Sequence, residues 1–322
     1  MRLRVGRENL PFLATVGVCA ALYAAGCAGF ERFGSWGVVL GFFDQYAYLG
    51  IVSVGMTFVI LSGGINLSVG SMMALSTVLI GTLVMKLGVN PWLAIAAVLA
   101  AGTLLGLAMG GLIAVFDLPP FLITLGGMFF CRGVALLISR RAFAIDHPVY
   151  DSLAEFFVPI AGGEGLYLPA VAFLAVLLAG IFVARYTAFG RNAYAIGGSE
   201  ASAVLMGLPV VRTKVLIYAL GGLCSALGGV VYTVYTPSAD ALTGTGLELE
   251  AIAAVVVGGT LLTGGAGGVA GTLFGVLIFA IIRQMLAFQG TLGPGAARIA
   301  VGFLLMIFVF LQKVIQGKRS RS

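Results

Sequence analysis

The chain has 322 residues, of which 60% are hydrophobic and only 9% are charged, and its net charge is +6 at pH 7. Because soluble domains carry about 25% charged residues, this composition excludes an ordinary soluble protein and leaves no stretch for a separate catalytic or nucleotide-binding domain. A membrane-spanning helix needs about 20 mainly apolar residues. The sequence therefore predicts an all-α integral membrane protein, with about ten membrane-embedded helices in one transmembrane domain over residues 1–322.

Ten apolar segments follow one another along the chain. The first one comes after Arg2, Arg4 and Arg7, and its long apolar run favours a retained first helix over a cleaved signal peptide. The ten predicted segments are Pro11–Phe30, Tyr46–Ser62, Asn66–Met85, Pro91–Phe116, Leu118–Leu137, Leu168–Arg185, Lys214–Thr236, Glu250–Leu262, Gly265–Phe288 and Ala297–Ile315.

The basic residues are distributed unevenly between the two sets of loops. They collect at the N-terminus, in the stretch Arg185–Lys214 and at the C-terminal end. Lys and Arg are enriched in cytoplasmic loops, and an even number of segments puts both termini on one side. We therefore expect both termini and the loop of about residues 186–213 in the cytoplasm, with Ile145–Gly165 on the outside.

Two of the segments are interrupted or too short to cross a membrane straight. The run Ser62–Ser68 cuts a long apolar stretch with two glycines and several polar residues, which weaken a helix. Both Gly63–Gly70 and Gly258–Gly265 read Gly-Gly-x-x-Leu-(Ser/Thr)-x-Gly. Broken helices at membrane depth recur at transport sites, although small residues also recur wherever helices pack closely. The pattern predicts broken or short helices around a central pathway.

The sequence contains no catalytic constellation, metal-ligand cluster or Walker motif. Its single histidine, His147, lies in a predicted outer loop, where a solvated side chain is expected. No paired carboxylates lie within a segment, whereas a proton-coupled carrier usually keeps an ionisable relay there. The clearest embedded cation is Arg132, for which a structural partner and a pathway role both remain open. Arg283 and Arg298 lie nearer segment ends and are expected to extend to the interface.

The predicted cytoplasmic loop of about residues 186–213 carries the signals of a short helix. Ser199 is a good N-cap, Glu200 is favourable in the first turn, and Gly207 with Pro209 ends the helix. A short amphipathic helix on this face can dock into a groove of a partner protein. It can equally rest on lipid headgroups, and both interpretations remain open.

Four stretches in chain order carry a family resemblance: Leu61–Ser71, Pro120–Gly133, Gly190–Gly207 and Ala254–Gly265. Together they resemble the permease subunits of sugar ABC importers of the ribose type, and the similarity covers nearly the whole chain. The family usually has Asp where this chain has Asn66. A narrower likeness, to the permease of a galactofuranose importer, rests on the segments Gly55–Gly64, Asp146–Asp151 and Phe288–Leu292.

The resemblance implies that the chain translocates a monosaccharide, galactofuranose or a similar pentose or hexose, across the bacterial inner membrane by alternating access. The implied partners are cytoplasmic ABC ATPase subunits, a second permease subunit that is identical or paralogous, a periplasmic sugar-binding protein and membrane lipid. It implies no cofactor, metal or nucleic acid, and ATP hydrolysis belongs to the partner rather than to this chain. The alternatives are an ion-coupled secondary transporter of a small polar solute and an integral-membrane enzyme, which the missing membrane carboxylates and polar catalytic set respectively oppose.

The candidate site residues form two groups. Asn66 is expected to cap the broken helix, with its amide satisfying backbone groups freed near Gly63 and Gly64. The residues expected to line the substrate pathway are Gly63, Gly64, Asn66, Ser68, Arg132, Gly258, Gly259, Thr260 and Thr263. The residues expected to couple the chain to its ATPase are Ser199, Glu200, Ala201, Ala203, Leu205, Met206 and Gly207.

Overall fold

The structure, a computed structural model, describes residues 10–161 and 163–289 together with positions 295, 299, 302, 303 and 306. Between residues 10 and 289 the chain is mainly helical, as predicted, and a π-helical turn, Thr82–Lys86, extends the fourth helix. The helices are α1 (Leu10–Gly29), α2 (Trp36–Gln45), α3 (Ala47–Leu61), α4 (Val69–Gly81), α5 (Pro91–Val115), α6 (Pro120–Ile138), α7 (Pro148–Glu155), α8 (Leu168–Tyr186), α9 (Ala188–Gly198), α10 (Glu200–Leu205), α11 (Val210–Tyr235), α12 (Leu247–Val257) and α13 (Val269–Gln289).

Seven of the described helices are long and apolar enough to cross a membrane, namely α1, α4 with its π-helical extension, α5, α6, α8, α11 and α13. The helices α2 and α3 meet at 54° and make an eighth span if they count as one bent element. The chain is therefore a multi-pass membrane protein. Within the described residues the predicted count of about ten is not confirmed. One predicted segment corresponds to α12, which has only 11 residues, and the last, Ala297–Ile315, lies almost wholly outside the described residues.

The helix α2 was not predicted, because two glycines and Asp44 interrupt its apolar pattern. Asp44 is buried near the end of α2. Its Oδ1 accepts hydrogen bonds from the backbone N–H groups of Tyr167 and Ala170 at 3.2 and 3.3 Å. The first N–H groups of a helix have no partner within the helix, so Asp44 caps the start of α8 from another segment.

The helix α11 lies at the centre of the bundle and packs against α3, α4 and α5. Its contact with α5 depends on glycine. A methyl group added at Gly106 would lie 2.9 Å from the Cα of Ala219, and one at Gly110 would lie 2.9 Å from the Cα of Val215. At Gly111 a methyl group would meet nothing within 4 Å. The small residues at helical spacing therefore form a packing face, as lipid-embedded helices require, and Gly111 lies outside it.

The outward faces of the long helices are apolar. Large exposed side chains on α5, α6 and α8 include Leu104, Phe129 and Leu178, each more than 60% exposed. Such surfaces are unfavourable in water and suit a lipid environment. All four cysteines are free. Three of them are buried, whereas Cys27 is exposed.

The predicted outer loop Ile145–Gly165 is folded rather than irregular. It contains α7 and most of an antiparallel hairpin of β2 (Phe157–Ala161) with β3 (Glu164–Tyr167). His147 precedes α7, and its Nδ1 accepts a hydrogen bond of 3.2 Å from the N–H of Val149. The histidine is therefore a helix cap rather than a freely solvated side chain. Nearby, the short strands β1 (Phe143–Ala144) and β4 (Ser238–Ala239) pair in antiparallel orientation.

Candidate functional site

The first predicted break is present between α3 and α4. The helix α3 ends in a Schellman motif, in which the N–H of Gly63 donates to the carbonyl of Ile60 and the N–H of Gly64 donates to that of Val59, both at 2.9 Å. Gly63 has a φ of +81°, the left-handed conformation that favours glycine. Carbonyl groups freed at the end of α3 are thus satisfied by the backbone N–H groups of Gly63 and Gly64.

Asn66 acts on the helix that follows the break rather than on the one before it, because it binds Ser68, the N-cap residue of α4. It is fully buried, and its Oδ1 accepts hydrogen bonds from the N–H and the hydroxyl of Ser68 at 3.0 and 2.7 Å. The expectation that its amide satisfies groups near Gly63 and Gly64 is wrong, because the Schellman motif already does so. Within the described part of the chain, the Nδ2 of Asn66 has no hydrogen-bond partner. The position therefore uses Asn66 only as an acceptor.

Two side chains that the sequence analysis did not single out hold the middle of this break. The carbonyl oxygen of Ile65 lies 3.4 Å from the hydroxyl of Tyr218 on α11 and 3.4 Å from that of Thr124 on α6. Thr124 also donates to the carbonyl of Pro120 at 2.8 Å, so its link to Ile65 is the weaker of the two. The break is thus held between α6 and α11, and only tertiary contacts could have identified these residues.

The second break, after α12, repeats the first one. The N–H of Gly259 donates to the carbonyl of Val256 at 2.9 Å, and the N–H of Thr260 donates to that of Val255 at 3.2 Å. Gly259 has a φ of +94°. The structural counterpart of Gly63 is therefore Gly259, one residue later than the alignment of the two Gly-Gly motifs implied. Both breaks therefore begin with the same type of helix ending, but the equivalent glycines, Gly63 and Gly259, are offset by one residue from the alignment of the two motifs.

The other predicted pathway residues of the second break have separate roles. A methyl group at Gly258 would lie 2.6 Å from the backbone of Gly271, so this glycine allows α12 and α13 to approach closely. The buried Oγ1 of Thr260 accepts a hydrogen bond of 3.3 Å from the N–H of Gly268, which closes the loop that follows. The side chain of Thr263 is exposed.

The two breaks touch each other and the end of α9. The N–H of Gly265 donates to the carbonyl of Leu61 at 2.9 Å. A methyl group at Gly197 would lie 2.5 Å from the nitrogen of Gly265 and closer still to the oxygen of Leu61, and one at Gly264 would lie 2.8 Å from the nitrogen of Gly63. At these positions backbone atoms therefore contact other backbone atoms directly, and there is no space for a side chain. We call these five residues, Leu61, Gly63, Gly197, Gly264 and Gly265, the glycine junction.

A side chain of α9 reinforces the glycine junction. The hydroxyl of Tyr194 donates to the carbonyl of Gly267 at 2.9 Å. Burial raises the pKa of Tyr194, and the nearby Arg185 opposes this only in part, so the hydroxyl keeps its proton and remains a donor. Sequence reasoning missed Tyr194 because it did not predict α9, although the residue lies within a stretch that carries the family resemblance.

The short helix predicted after Ser199 is confirmed as α10, and its coupling role stays a prediction. The Oγ of Ser199 accepts a hydrogen bond of 3.2 Å from the N–H of Ser202, and Gly207, with a φ of +73°, ends the helix. Glu200 forms an ion pair of 2.6 Å with Lys214 on α11. Ala203 faces inward and is buried. Exposed side chains of this region include Ala201, Val204, Leu205 and Met206, with Leu205 88% exposed.

Arg132 has a structural partner, which was one of the two roles that the sequence left open. Its Nη1 donates to the backbone carbonyls of Ala241 and Thr243, the latter at 2.9 Å. Arg132 thus fastens the turn before α12 to α6. These bonds do not join Arg132 to either Gly-Gly motif. A role of Arg132 in the substrate pathway stays a prediction.

Arg283 does not extend to the interface as expected. It forms an ion pair with Glu250 at the start of α12, and its guanidinium lies 5.8 Å from the centre of the Tyr46 ring. Both charged side chains are partly buried. Besides Asp44, the bundle therefore contains a partly buried carboxylate, Glu250, that sequence reasoning did not recognise as embedded. Because its charge is matched by Arg283, it is a bridge between α12 and α13 rather than an isolated proton carrier.

The sequence of residues 38–310 matches the family model described as the permease component of branched-chain amino acid transport systems. The chain belongs to this permease family. It is 46% identical to the inner membrane ABC transporter permease protein YjfF of Escherichia coli K12, with 95% of this chain and 93% of the relative covered. It is 35% identical to the fructose import permease protein FruG of Bifidobacterium longum, with 98% and 94% covered.

A third relative is the ribose import permease protein RbsC of Bacillus subtilis, which is 37% identical over 85% of this chain and 84% of the relative. The resemblance to permeases of ribose-type sugar importers is therefore confirmed. The narrower likeness to a galactofuranose importer stays a prediction. No solved structure matches the chain.

Proposed function

We propose that the chain is the membrane-spanning permease subunit of an ABC importer that moves a monosaccharide across the bacterial inner membrane. In this function the whole chain, residues 1–322, is one permease domain with both termini in the cytoplasm. Cytoplasmic ATPase subunits bind the exposed face of α10. A second permease subunit, identical or paralogous, completes the pathway, and a periplasmic binding protein delivers the sugar.

The observation that carries this proposal is the connection between α10 and the two helix breaks. The exposed side chains of Leu205 and Met206 offer an apolar surface to a partner, and a short helix docking into a groove is a common mode of recognition. Only Ser199 separates α10 from α9, and α9 contacts both breaks through Gly197 and Tyr194. A displacement of α10 can therefore be transmitted to both breaks through the closely packed residues of α9.

The names of the relatives support a sugar as the substrate, since two of them import fructose and ribose. Within that class we propose galactofuranose, on the likeness of Gly55–Gly64, Asp146–Asp151 and Phe288–Leu292 to the permease of such an importer. A neutral sugar needs no coupling ion. The ion pair of Glu250 with Arg283 agrees with this, because it leaves no unmatched charge on the carboxylate to bind one.

The experiment is uptake by proteoliposomes that contain this chain together with the ATPase and binding protein encoded beside it. We expect uptake of radiolabelled galactofuranose that requires both ATP and the binding protein, with ribose and fructose as competitors. An ionophore should have no effect when ATP is supplied. Uptake that proceeds without ATP and collapses with an ionophore would instead establish the ion-coupled secondary transporter.

A further inference from the structure

A cavity of about 250 Å³ lies between the first break and α10. Its walls come from Ser62–Gly64 in the break, Asp117–Pro120 in the turn between α5 and α6, and the side chains of Glu200, Lys214 and Tyr218. Three separate functional elements, the break, the predicted coupling helix and the central helix α11, thus share one cavity.

The lining of this cavity suits a small neutral molecule with several hydroxyl groups. Asp117 and Glu200 supply carboxylate acceptors, Lys214 supplies an ammonium donor, and Tyr218 adds a phenol. Hydrogen bonds to charged groups are the stronger ones in proteins. The volume is below the range of about 300–1,000 Å³ that is typical of sites for drug-sized ligands, so the space favours a single sugar ring over a larger solute.

The absence of side chains in the break is what keeps the cavity open towards α11. A methyl group at Gly64 would lie 2.5 Å from the hydroxyl oxygen of Tyr218, so any larger residue would displace the phenol. Asp117 is exposed, and its φ of +52° is uncommon for a residue other than glycine, although Asp is among the residues that tolerate it. This backbone conformation helps to turn the chain between α5 and α6 along the cavity wall.

The ion pair between Glu200 and Lys214 makes one wall of the cavity depend on the position of α10. Glu200 belongs to α10 and Lys214 to α11, and their charged atoms are 2.6 Å apart. The side chain of Glu200 is 49% exposed and that of Lys214 only 15%. A shift of α10 relative to α11 separates the two charges and changes the donors and acceptors that face the cavity.

We propose that this cavity is the exit site of the pathway, where a monosaccharide binds through its hydroxyl groups before release on the α10 side. The proposal rests on the proposed function, since it assumes that the chain transports a sugar and that α10 faces the cytoplasm. Asp117, Glu200 and Lys214 are the groups that bind the sugar. Displacement of α10 by the ATPase parts the ion pair and weakens that binding, which couples release to the ATPase cycle.

The test measures protection of a single cysteine by sugar in the complete complex. Leu118→Cys, at a cavity-lining position that supplies none of the sugar-binding groups, is introduced into a chain without its native cysteines. A maleimide is added from the ATPase side with or without galactofuranose, ribose or fructose. The matched control is Arg212→Cys, an exposed position on α11 that does not line the cavity. We expect the transported sugar to slow labelling at position 118 several-fold and to leave position 212 unchanged.

Equal labelling with and without the transported sugar would overturn the exit site. Because uptake is measured on the complex of the unsubstituted chain, that result is separate from failure of the proposed function, which would appear as absence of ATP-dependent uptake of any sugar. A second measurement covers the case in which Leu118→Cys does not fold. In the double variant Glu200→Lys with Lys214→Glu, a purely structural ion pair should restore normal uptake, whereas a sugar-binding pair should leave uptake reduced about tenfold.

Discussion

The backbone N–H of Gly265 donates a hydrogen bond to the carbonyl oxygen of Leu61, with a nitrogen–oxygen distance of 2.9 Å. Leu61 is the last residue of α3, and Gly265 lies in the loop after α12, so this bond joins the two breaks directly. The end of α9 packs on the same two groups through Gly197. The two breaks and the end of α9 are thus in direct backbone contact. A displacement of any one of these three parts therefore affects the other two.

The tightness of the glycine junction predicts the effect of one methyl group. In Gly197→Ala the new carbon would overlap the oxygen of Leu61 and lie 2.5 Å from the nitrogen of Gly265. Both neighbours are backbone atoms and cannot rotate away. We expect a loss of stability of about 1–3 kcal/mol or more, with a lower unfolding temperature in detergent and a severe loss of uptake at matched membrane abundance.

The matched control is Gly198→Ala, because a methyl group at Gly198 would meet nothing within 4 Å. Both residues end the same helix, so the two variants share any change in helix propensity. Similar unfolding temperatures and similar uptake for the two variants would show that the glycine junction is not closely packed in the working protein.

The hydrogen bond from Tyr194 to Gly267 predicts a role in coupling. Tyr194→Phe removes the hydroxyl and keeps the ring, so folding and assembly with the ATPase should persist. The net value of such a bond is about 0.5–1.5 kcal/mol, and we expect sugar-stimulated ATP hydrolysis and uptake to fall about two- to tenfold.

Tyr186→Phe is the control for this variant, since Tyr186 is 68% exposed and lies at the end of α8, just before α9. Purified complexes of both variants should be compared for subunit stoichiometry first and for ATP hydrolysis second. Unchanged stimulation in Tyr194→Phe would mean that α9 does not act on the second break through this side chain.

The hydrogen bonds of Asn66 predict opposite results for two substitutions. Asn66→Asp keeps the acceptor oxygen for both groups of Ser68, and a carboxylate at the start of α4 is favoured by the helix dipole. Since the Nδ2 of Asn66 has no partner among the described residues, its loss removes no bond. Asn66→Asp should therefore retain uptake. Asn66→Leu removes both bonds and should impair uptake, at a cost of about 1–3 kcal/mol for the unsatisfied N–H.

Uptake of the two variants is to be compared at equal membrane abundance, with Asn192→Leu as a control for the loss of an amide on α9. An active Asn66→Leu together with an inactive Asn66→Asp would contradict the capping role and would point to a steric requirement at this position.

The charge distribution predicts the orientation of the chain. Leu205→Cys, on the exposed face of α10, should react with an impermeant maleimide only after the membrane is opened, and Glu155→Cys, at the end of α7, should react in intact cells. Both variants are made in a chain without native cysteines. Rapid labelling of position 205 in intact cells would reverse the predicted topology.

The helices α9 and α10 of the predicted coupling region differ in how far they can be predicted from local sequence signals. The helix α10 was predictable because Ser199 caps it and Gly207 ends it, and both signals act within a few residues. The preceding α9 contains three glycines in 11 residues and has little intrinsic helix propensity. It forms because Gly190 packs on the end of α8 and because Ala193 and Ile196 are buried by other segments, which the sequence alone does not display.

The two breaks likewise combine features that the local sequence predicts with features that depend on tertiary contacts. Two glycines and a polar run were enough to predict that the chain leaves the helix at Gly63. They could not show which residue takes the positive φ in the second break. The alignment of the two motifs pairs Gly63 with Gly258, whereas Gly259 has the positive φ. The partners of Asn66 and Arg132 likewise depend on where other segments lie, so their hydrogen bonds could not be derived from spacing.

The glycine junction also constrains the order in which the protein can be assembled in the cell. Leu61, Gly197 and Gly265 come from three distant parts of the chain, and their contact is complete only after the last of them has left the ribosome. Until then the end of α9 lacks one side of the backbone packing that surrounds Gly197. A chain that stops before residue 265 therefore cannot form the hydrogen bond to Leu61 that joins the two breaks.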